Sequence, residues 1–168
     1  KKLLKVTNDI NKYLILLLRK QNNSGLLKAM KYGLLPGGKK IRSKILVDVG
    51  KIFNLRYSNL IKIGAALECI HAYSLIHDDL PCMDDDELRR GKLTTHKKFG
   101  ESTAILAGNS LLTLGFEILS SNQLKLSNKN KNILINLISK CTGHLGVAGG
   151  QFLDLNYEKK KISKSKII

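Results

Sequence analysis

The stretch from Ala65 to Gly91 reads AALECIHAYSLIHDDLPCMDDDELRRG, and it joins an apolar run to a cluster of acids. The run up to His77 is apolar enough to form a buried helix. Pro81 prevents that helix from continuing, because its ring would clash with the carbonyl of His77. We therefore expect carboxylates at the end of a core helix, followed by a bulge that would bring Asp84 round beside Asp78.

Apolar residues recur at helical spacing along the rest of the chain, and no stretch alternates with period two. This pattern predicts an all-α fold of five or six helices in a single domain over residues 1–168. Small residues inside two of the helices would let neighbouring helices approach closely. The expected helices lie near residues 1–20, 25–34, 39–53, 58–77, 102–121 and 129–149, with breaks at glycines, at Pro36 and in the polar segment 121–132.

The composition is that of a compact domain, with 168 residues of which 43% are hydrophobic and 25% are charged. It excludes a disordered chain, a collagen-like repeat and a disulfide scaffold. The net charge of +16 raises nucleic acid, an anionic membrane or an anionic substrate as a partner. However, 24 of the 29 basic residues are lysines, a bias typical of codons rich in A and T. The charge therefore says little about partners.

The three cysteines, Cys69, Cys82 and Cys141, are an odd number without a close pair. They offer neither a disulfide framework nor a zinc site, so we expect a reducing, cytoplasmic compartment. The longest apolar run, Tyr13 to Leu18, is too short to span a membrane. Because the sequence opens with Lys1 rather than Met, we expect it to be a piece of something longer.

The acids are concentrated in one place. Packing them together in an ordered segment is unfavourable unless a cation lies among them. Oxygen ligands without His or Cys at zinc spacing favour Mg²⁺ or Mn²⁺, and Mg²⁺ usually takes one or two carboxylates together with substrate phosphates. The alternative is a solvated acidic face. Six of the thirteen acids lie in this cluster: Asp78, Asp79, Asp84, Asp85, Asp86 and Glu87.

Two basic segments flank the acids. Arg89 and Arg90 follow directly, and arginine suits bidentate contact with phosphate. Upstream, GGKKIR places two glycines at an expected helix start with Lys39 and Arg42 three residues apart, a second candidate oxyanion site. Its ordinary interpretation is a loop followed by a capped helix. The ordinary interpretation of His71 and His77, which lie in the apolar run, is that they are core histidines.

The segment DDLPCMDDDELRRG, Asp78 to Gly91, resembles the first aspartate-rich motif of bacterial-type trans-polyprenyl diphosphate synthases, DDxxxxD followed by RRG. GGKKIR, ECIHAYSLIHDD, THKKFGE, AILAGNSLL and GGQFLDL also match in the family's order and spacing, over about residues 25–157. The resemblance implies an isoprenoid synthase bundle around a central cavity and a homodimer. It also implies Mg²⁺-dependent condensation of isopentenyl diphosphate with dimethylallyl or geranyl diphosphate, and it is strongest to members that make farnesyl diphosphate.

The resemblance also implies residue roles. Asp78 and Asp84 would hold Mg²⁺ against the allylic diphosphate, with Asp79 and Asp85 in support, and Arg89 would contact the same diphosphate. Isopentenyl diphosphate would be bound by Lys39, Arg42, His71 and Arg90. Tyr73, five residues before the first Asp of the motif, would set product length. Its bulky ring favours C15, whereas a smaller residue would favour C20 and geranylgeranyl diphosphate.

The sequence departs from the family pattern in two ways. Asn109 stands where relatives commonly have Asp, and the second aspartate-rich motif is not found in the 168 residues. We therefore expect the N-terminal part of a synthase domain that would continue past residue 168, with uncovered apolar faces, and a poor catalyst by itself. The alternatives are a truncated non-catalytic partner of a complete synthase and a nucleic-acid binder. Dispersed lysines and only 5% aromatic residues count against the latter.

Overall fold

The computed structural model describes residues 2–35 and 38–157, so Lys1, Pro36, Gly37 and the lysine-rich end lie outside the described residues. The described residues confirm the all-α prediction, with one short hairpin that the sequence did not indicate. The elements are α1 (Lys2–Leu18), α2 (Gly25–Leu34), α3 (Ile41–Ile52), α4 (Tyr57–Asp78), β1 (Leu88–Arg89), β2 (Lys92–Leu93), α5 (Thr95–Phe99), α6 (Glu101–Ser120), α7 (Asn128–Thr142) and α8 (Val147–Tyr157).

The helix α4 is the centre of the bundle and packs against α1, α2, α3 and α6. Small residues permit the closest of these contacts, as the sequence predicts. A Cβ at Gly115 of α6 would lie 2.8 Å from Cγ1 of Ile70, and one at Gly64 would lie 3.1 Å from Cβ of Ser43. Because α4 is surrounded, it is apolar on most of its faces, and its C-terminal end emerges from the core at Asp78.

The prediction of one helix over residues 129–149 is wrong, because the chain divides there into α7 and α8. The Gly143 amide donates to the Ser139 carbonyl and closes α7. A Cβ at Gly146 would overlap the carbonyl of Cys141, so the turn between the helices requires glycine. Gly149 lies inside α8 rather than at a helix end.

Two apolar helices, α6 and α8, bear on whether the bundle meets a membrane or another partner. In residues 2–35 and 38–157, only α6 is long and apolar enough to suggest a membrane span, and it is packed among α2, α4, α5 and α7. The helix α8 has no buried residue, and several of its apolar side chains are exposed, including Phe152 at 66% and Leu153 at 51%.

Candidate functional site

The acidic segment folds back on the end of α4. The helix ends at Asp78, and the amide of Asp84 donates to the Asp78 carbonyl over 3.0 Å. The Asp85 amide donates to the Leu80 carbonyl over 3.1 Å, and Asp85 takes a left-handed conformation with φ 52°. The bulge expected from Pro81 therefore exists and brings the Asp84 backbone against Asp78. The side chains of Asp84 and Asp85 are exposed.

Arg89 lies at the centre of this acidic turn. Its Nε and Nη2 atoms each lie 2.5 Å from Oδ1 of the buried Asp79. Nη2 is also 3.4 Å from Oδ2 of Asp86 and 3.8 Å from Oδ2 of Asp78. Burial raises the pKa of the Asp79 carboxyl above its usual range, and the bonded guanidinium opposes that shift. One arginine thus contacts three carboxylates, and its single positive charge offsets only part of their negative charge.

Asp78 is also tied to α8. Its Oδ1 accepts a hydrogen bond of 2.9 Å from Nε2 of Gln151, a residue that was not predicted to belong to the site. The only feature of the sequence that could have indicated this contact was the position of Gln151 in the segment GGQFLDL. Within the part of the chain that the structure describes, no three His, Cys, Asp or Glu side chains converge as a preformed metal cluster. The predicted pair Asp78 and Asp84 is compatible with Mg²⁺, because one or two carboxylates are sufficient when phosphate oxygens complete the shell.

A tight hairpin separates the two adjacent arginines. Arg89 pairs with Lys92, leaving Arg90 and Gly91 as the two turn residues, both with positive φ, 54° and 74°. Positive φ at both central positions is the type I′ turn that two-residue hairpins favour, and glycine adopts it without strain. Arg89 is directed to the acidic turn, whereas Arg90 reaches Gly38, where an added Cβ would lie 2.9 Å from its Nη1.

Arg90 faces a cavity of about 330 Å³ at the start of α3. The four predicted isopentenyl diphosphate ligands all line this cavity. We call it the cationic cavity, because three of the four are lysine or arginine. On its wall, Nη1 of Arg42 lies 3.2 Å from Nε2 of His71. The predicted ligands come from the loop before α3, from α3 itself, from α4 and from the hairpin: Lys39, Arg42, His71 and Arg90.

A buried ion pair lies in the wall of the cationic cavity, which Lys40 and Glu68 both line. Lys40 has φ 47° at the N-cap of α3, and its Nζ lies 3.7 Å from Oε2 of Glu68. Oε1 of Glu68 accepts a hydrogen bond of 2.6 Å from the Ser43 hydroxyl. Burial lowers the pKa of the Lys40 amine, although Glu68 opposes the shift. Lys40, Ser43 and Glu68 were not predicted to interact. The one feature that could have indicated a buried ion pair was Glu68, an acid inside the apolar run.

A second cavity, of about 690 Å³, lies between α4, α7 and α8 and is mostly apolar. Tyr73 and Asp78 both line it, and Asp78 is the residue at which the acidic turn begins. It shares Arg42, His71 and Leu75 with the cationic cavity, so the two cavities adjoin. The Tyr73 ring packs edge-on against His77, with centroids 4.8 Å apart.

Two further residues lie outside these cavities. The Nε2 atom of His77 lies 3.1 Å from the Ile105 carbonyl, and the ring fills the space over Gly108. His77 is half-buried, with a ring nitrogen within hydrogen-bonding distance of a backbone carbonyl, which is close to the ordinary interpretation of a histidine that packs in the bundle. Asn109 is exposed on α6, where its backbone carbonyl accepts a hydrogen bond of 2.7 Å from the Thr113 hydroxyl.

The position of His71 leads to a pH prediction. Burial, followed by the charge of Arg42, lowers the pKa of His71 below its usual 6.5, with Glu68 opposing. As pH falls, the unfolded chain therefore takes up the proton before the folded chain, and stability decreases. We expect His71 to reduce the free energy of unfolding as pH falls below about 6.5, a contribution absent from His71→Gln. NMR titration of the imidazole resonances gives the pKa, and a value at or above 6.5 would contradict this account.

Comparison with known proteins agrees with this geometry. The profile of the polyprenyl synthetase family matches residues 23–167. The chain is 46% identical over 145 residues to a farnesyl diphosphate synthase of Buchnera aphidicola from Acyrthosiphon pisum, covering 86% of this chain and 51% of the relative. It is 47% identical over 141 residues to that of Escherichia coli, covering 83% and 47%.

A solved geranyltransferase from Legionella pneumophila superimposes with a TM-score of 0.92 at 36% identity, covering 98% of this chain and 59% of that one. The chain spans about half the length of the curated relatives that it matches. The family profile covers most of the chain, and the chain belongs to the polyprenyl synthetase family.

Proposed function

We propose that the protein catalyses Mg²⁺-dependent condensation of isopentenyl diphosphate with dimethylallyl and geranyl diphosphate to give farnesyl diphosphate. The observation that carries this proposal is the pair of adjoining cavities that share Arg42, His71 and Leu75. One is cationic and suits a diphosphate, and the other is mostly apolar with carboxylates at its edge. A reaction that joins two diphosphates through their hydrocarbon parts requires such an arrangement.

On the allylic side, Asp78 and Asp84 would hold Mg²⁺, and Asp79 and Asp85 would support them. Their donors are all carboxylate oxygens, which this hard cation prefers. When bound, the ion would neutralise charge on the allylic diphosphate as it leaves. Arg89 lies among the same carboxylates and would contact that diphosphate, since its guanidinium provides several donors in one plane.

On the isopentenyl side, Lys39, Arg42, His71 and Arg90 would bind the second diphosphate. Three of these groups are cations. The fourth, His71, can donate a hydrogen bond from one ring nitrogen and accept one at the other when neutral, and burial, followed by the charge of Arg42, lowers its pKa. The diphosphate would thus be fixed while the hydrocarbon part extends towards the shared wall of the two cavities.

The carbon chemistry needs no nucleophilic side chain. The allylic carbon–oxygen bond breaks, its electrons leave with diphosphate, and the isopentenyl double bond forms the new carbon–carbon bond. A proton is then lost to the released diphosphate. Side chains contribute by placing positive charge where the leaving group gains negative charge and by providing apolar walls.

Tyr73 provides a prediction about product length. In a preparation that forms C15 product, Tyr73→Ala is expected to shift the main product to C20, because the ring that lines the apolar cavity is removed. Tyr73→Phe, which keeps the ring, is expected to retain C15. Chromatography of the dephosphorylated products measures both, and an unchanged C15 product from Tyr73→Ala would contradict the role of Tyr73. A C20 product from the unchanged protein would favour the geranylgeranyl alternative.

The function is tested by calorimetric titration of the chain with geranyl thiolodiphosphate, a non-hydrolysable analogue, with and without Mg²⁺. A product assay with geranyl and isopentenyl diphosphates follows on the intact protein as its source produces it, because the 168-residue chain is expected to be a poor catalyst by itself. Mg²⁺-dependent binding by the chain together with C15 product from the intact protein supports the synthase, whereas binding without product from the intact protein favours the non-catalytic partner. Binding that is absent, or indifferent to Mg²⁺, would contradict the proposal. Salt-dependent binding to DNA would favour the nucleic-acid alternative.

We also propose a cytoplasmic homodimer. The described cysteines are all free, which fits a reducing compartment. Ile105 and Leu106, exposed at 41% and 54%, form an apolar patch on α6 that suits contact with a second copy. Analytical ultracentrifugation measures the oligomeric state.

A further inference from the structure

One hydrogen bond joins the two segments that provide the cations of the site. The hydroxyl of Tyr32, on α2, donates to the carbonyl of Leu93, on β2, over 2.7 Å. The helix α2 leads into the loop that carries Lys39. The strand β2 follows the turn that carries Arg90. The bond therefore links α2 to β2 across 61 positions of sequence, and these are the elements that adjoin the loop with Lys39 and the turn with Arg90.

The Tyr32 ring is held independently of its hydroxyl. The ring packs edge-on against Phe99, with centroids 5.3 Å apart and planes at 69°. The Lys98 ammonium lies 4.2 Å from the ring centroid. Both neighbours belong to α5, so removing the hydroxyl would leave the ring in place and release only the hairpin.

The hairpin needs such support. Its strands have two residues each, and so short a ribbon is only marginally stable in water. Arg90 holds a left-handed conformation, which a non-glycine residue adopts at a cost. Thr94 fixes the base of the hairpin, since its amide donates to the Glu87 carbonyl over 2.9 Å and its hydroxyl to the Asp86 carbonyl over 2.8 Å. The bond from Tyr32 holds the backbone of β2 one residue nearer the turn than Thr94 does, and the ion pairs of Arg89 hold the side chain of β1.

We propose that Tyr32 is a positioning residue for both diphosphate sites. Its hydroxyl holds the hairpin in the one orientation that directs Arg89 to the acidic turn and Arg90 to the cationic cavity. This inference rests on the proposed function, because it assigns the two arginines to the two diphosphates. Tyr32 lines neither of the two cavities described above and acts through the backbone of β2.

The test compares Tyr32→Phe with Tyr57→Phe in the full chain. Tyr57 is a matched control, because its hydroxyl also donates a bond of 2.7 Å, to Oδ2 of Asp9, and lysine ammonium groups also lie near its ring. Titrations use geranyl thiolodiphosphate with Mg²⁺ for one site and isopentenyl thiolodiphosphate for the other. Tyr32→Phe is expected to weaken both by about five- to tenfold, the size of one lost hydrogen bond. Tyr57→Phe is expected to leave both affinities unchanged, although both variants melt at slightly lower temperature.

A double-variant cycle separates positioning from general destabilisation. In an Arg90→Ala background, Tyr32→Phe is expected to cause no further loss of affinity for isopentenyl thiolodiphosphate, because the group that it positions is gone. Additive losses, unchanged affinities in Tyr32→Phe, or equal losses in Tyr57→Phe would each overturn the inference and leave the proposed function intact. If the unchanged chain binds neither analogue, the proposed function fails and the inference fails with it.

Discussion

Asp78→Asn is expected to abolish Mg²⁺-dependent binding of geranyl thiolodiphosphate, with an affinity loss on the order of 100-fold or more. Asparagine has the shape of aspartate, and its amide oxygen would still accept the hydrogen bond from Gln151. What disappears is the negative charge, on which a hard divalent cation depends. Asp78→Ala should lose binding similarly and should also release α8 from α4.

The measurement is calorimetric titration at several Mg²⁺ concentrations, together with the melting temperature of each variant. Asp48→Asn is the control, because Asp48 is an exposed acid on α3, paired with Lys44 and away from both cavities. It makes the same charge change and is expected to leave affinity unaltered. Unchanged Mg²⁺-dependent affinity in folded Asp78→Asn would show that Asp78 is not a metal ligand.

Glu68→Ala is expected to lower the free energy of unfolding by about 3–5 kcal/mol, the cost of breaking a buried ion pair. Lys40 is only 6% exposed and Glu68 7%, so the amine would remain in the protein interior without its partner. Since a domain is stable by only about 5–15 kcal/mol in total, this loss is large. The Ser43 hydroxyl keeps a partner, because its single proton, donated to Glu68 in the unchanged protein, can instead be donated to the Gly64 carbonyl 3.0 Å away.

Urea denaturation measures this change, and two further variants identify its cause. Glu87→Ala removes an acid whose partner, Lys97, is exposed, and the unfolding midpoint is expected to stay nearly constant. Lys40→Met combined with Glu68→Ala is expected to recover part of the loss, because no charge remains buried. If Glu68→Ala is as mild as Glu87→Ala, the ion pair does not stabilise the fold.

The sequence predicted those parts of the fold that depend on long apolar patterns. The helix α4 and the bulge after it were predicted, because the run before Asp78 is long and Pro81 has a definite steric effect. The hairpin was not, since two-residue strands are too short for alternation to be visible, and Arg90 with Gly91 is not the Asn–Gly pair that marks a type I′ turn. The break between α7 and α8 was missed because apolar spacing continues across Gly143.

The candidate site was likewise predictable only in part. The charged residues that line the cavities were recognised by type and motif, although their roles remain predictions. Both adjacent lysines, Lys39 and Lys40, line the cationic cavity, and what could not be predicted is which of them pairs with a buried acid. Lys40 is buried against Glu68 while Lys39 is exposed, a difference that the left-handed backbone at Lys40 and the packing of α3 on α4 produce. Gln151 reaches Asp78 from 73 positions away, and no local pattern reports such a contact.

The type I′ turn limits how this surface segment can change in length. Exposed loops ordinarily accept insertions and deletions. Here the pairing of Arg89 with Lys92 leaves two turn residues, and a slip of one residue in a strand moves its side chains to the opposite face. One residue added to β1 before Arg89 would therefore move the Arg89 side chain away from the acidic turn while leaving both arginines in the sequence. Among related sequences, the hairpin should vary in residue type at Lys92 and Leu93 but keep the same number of residues.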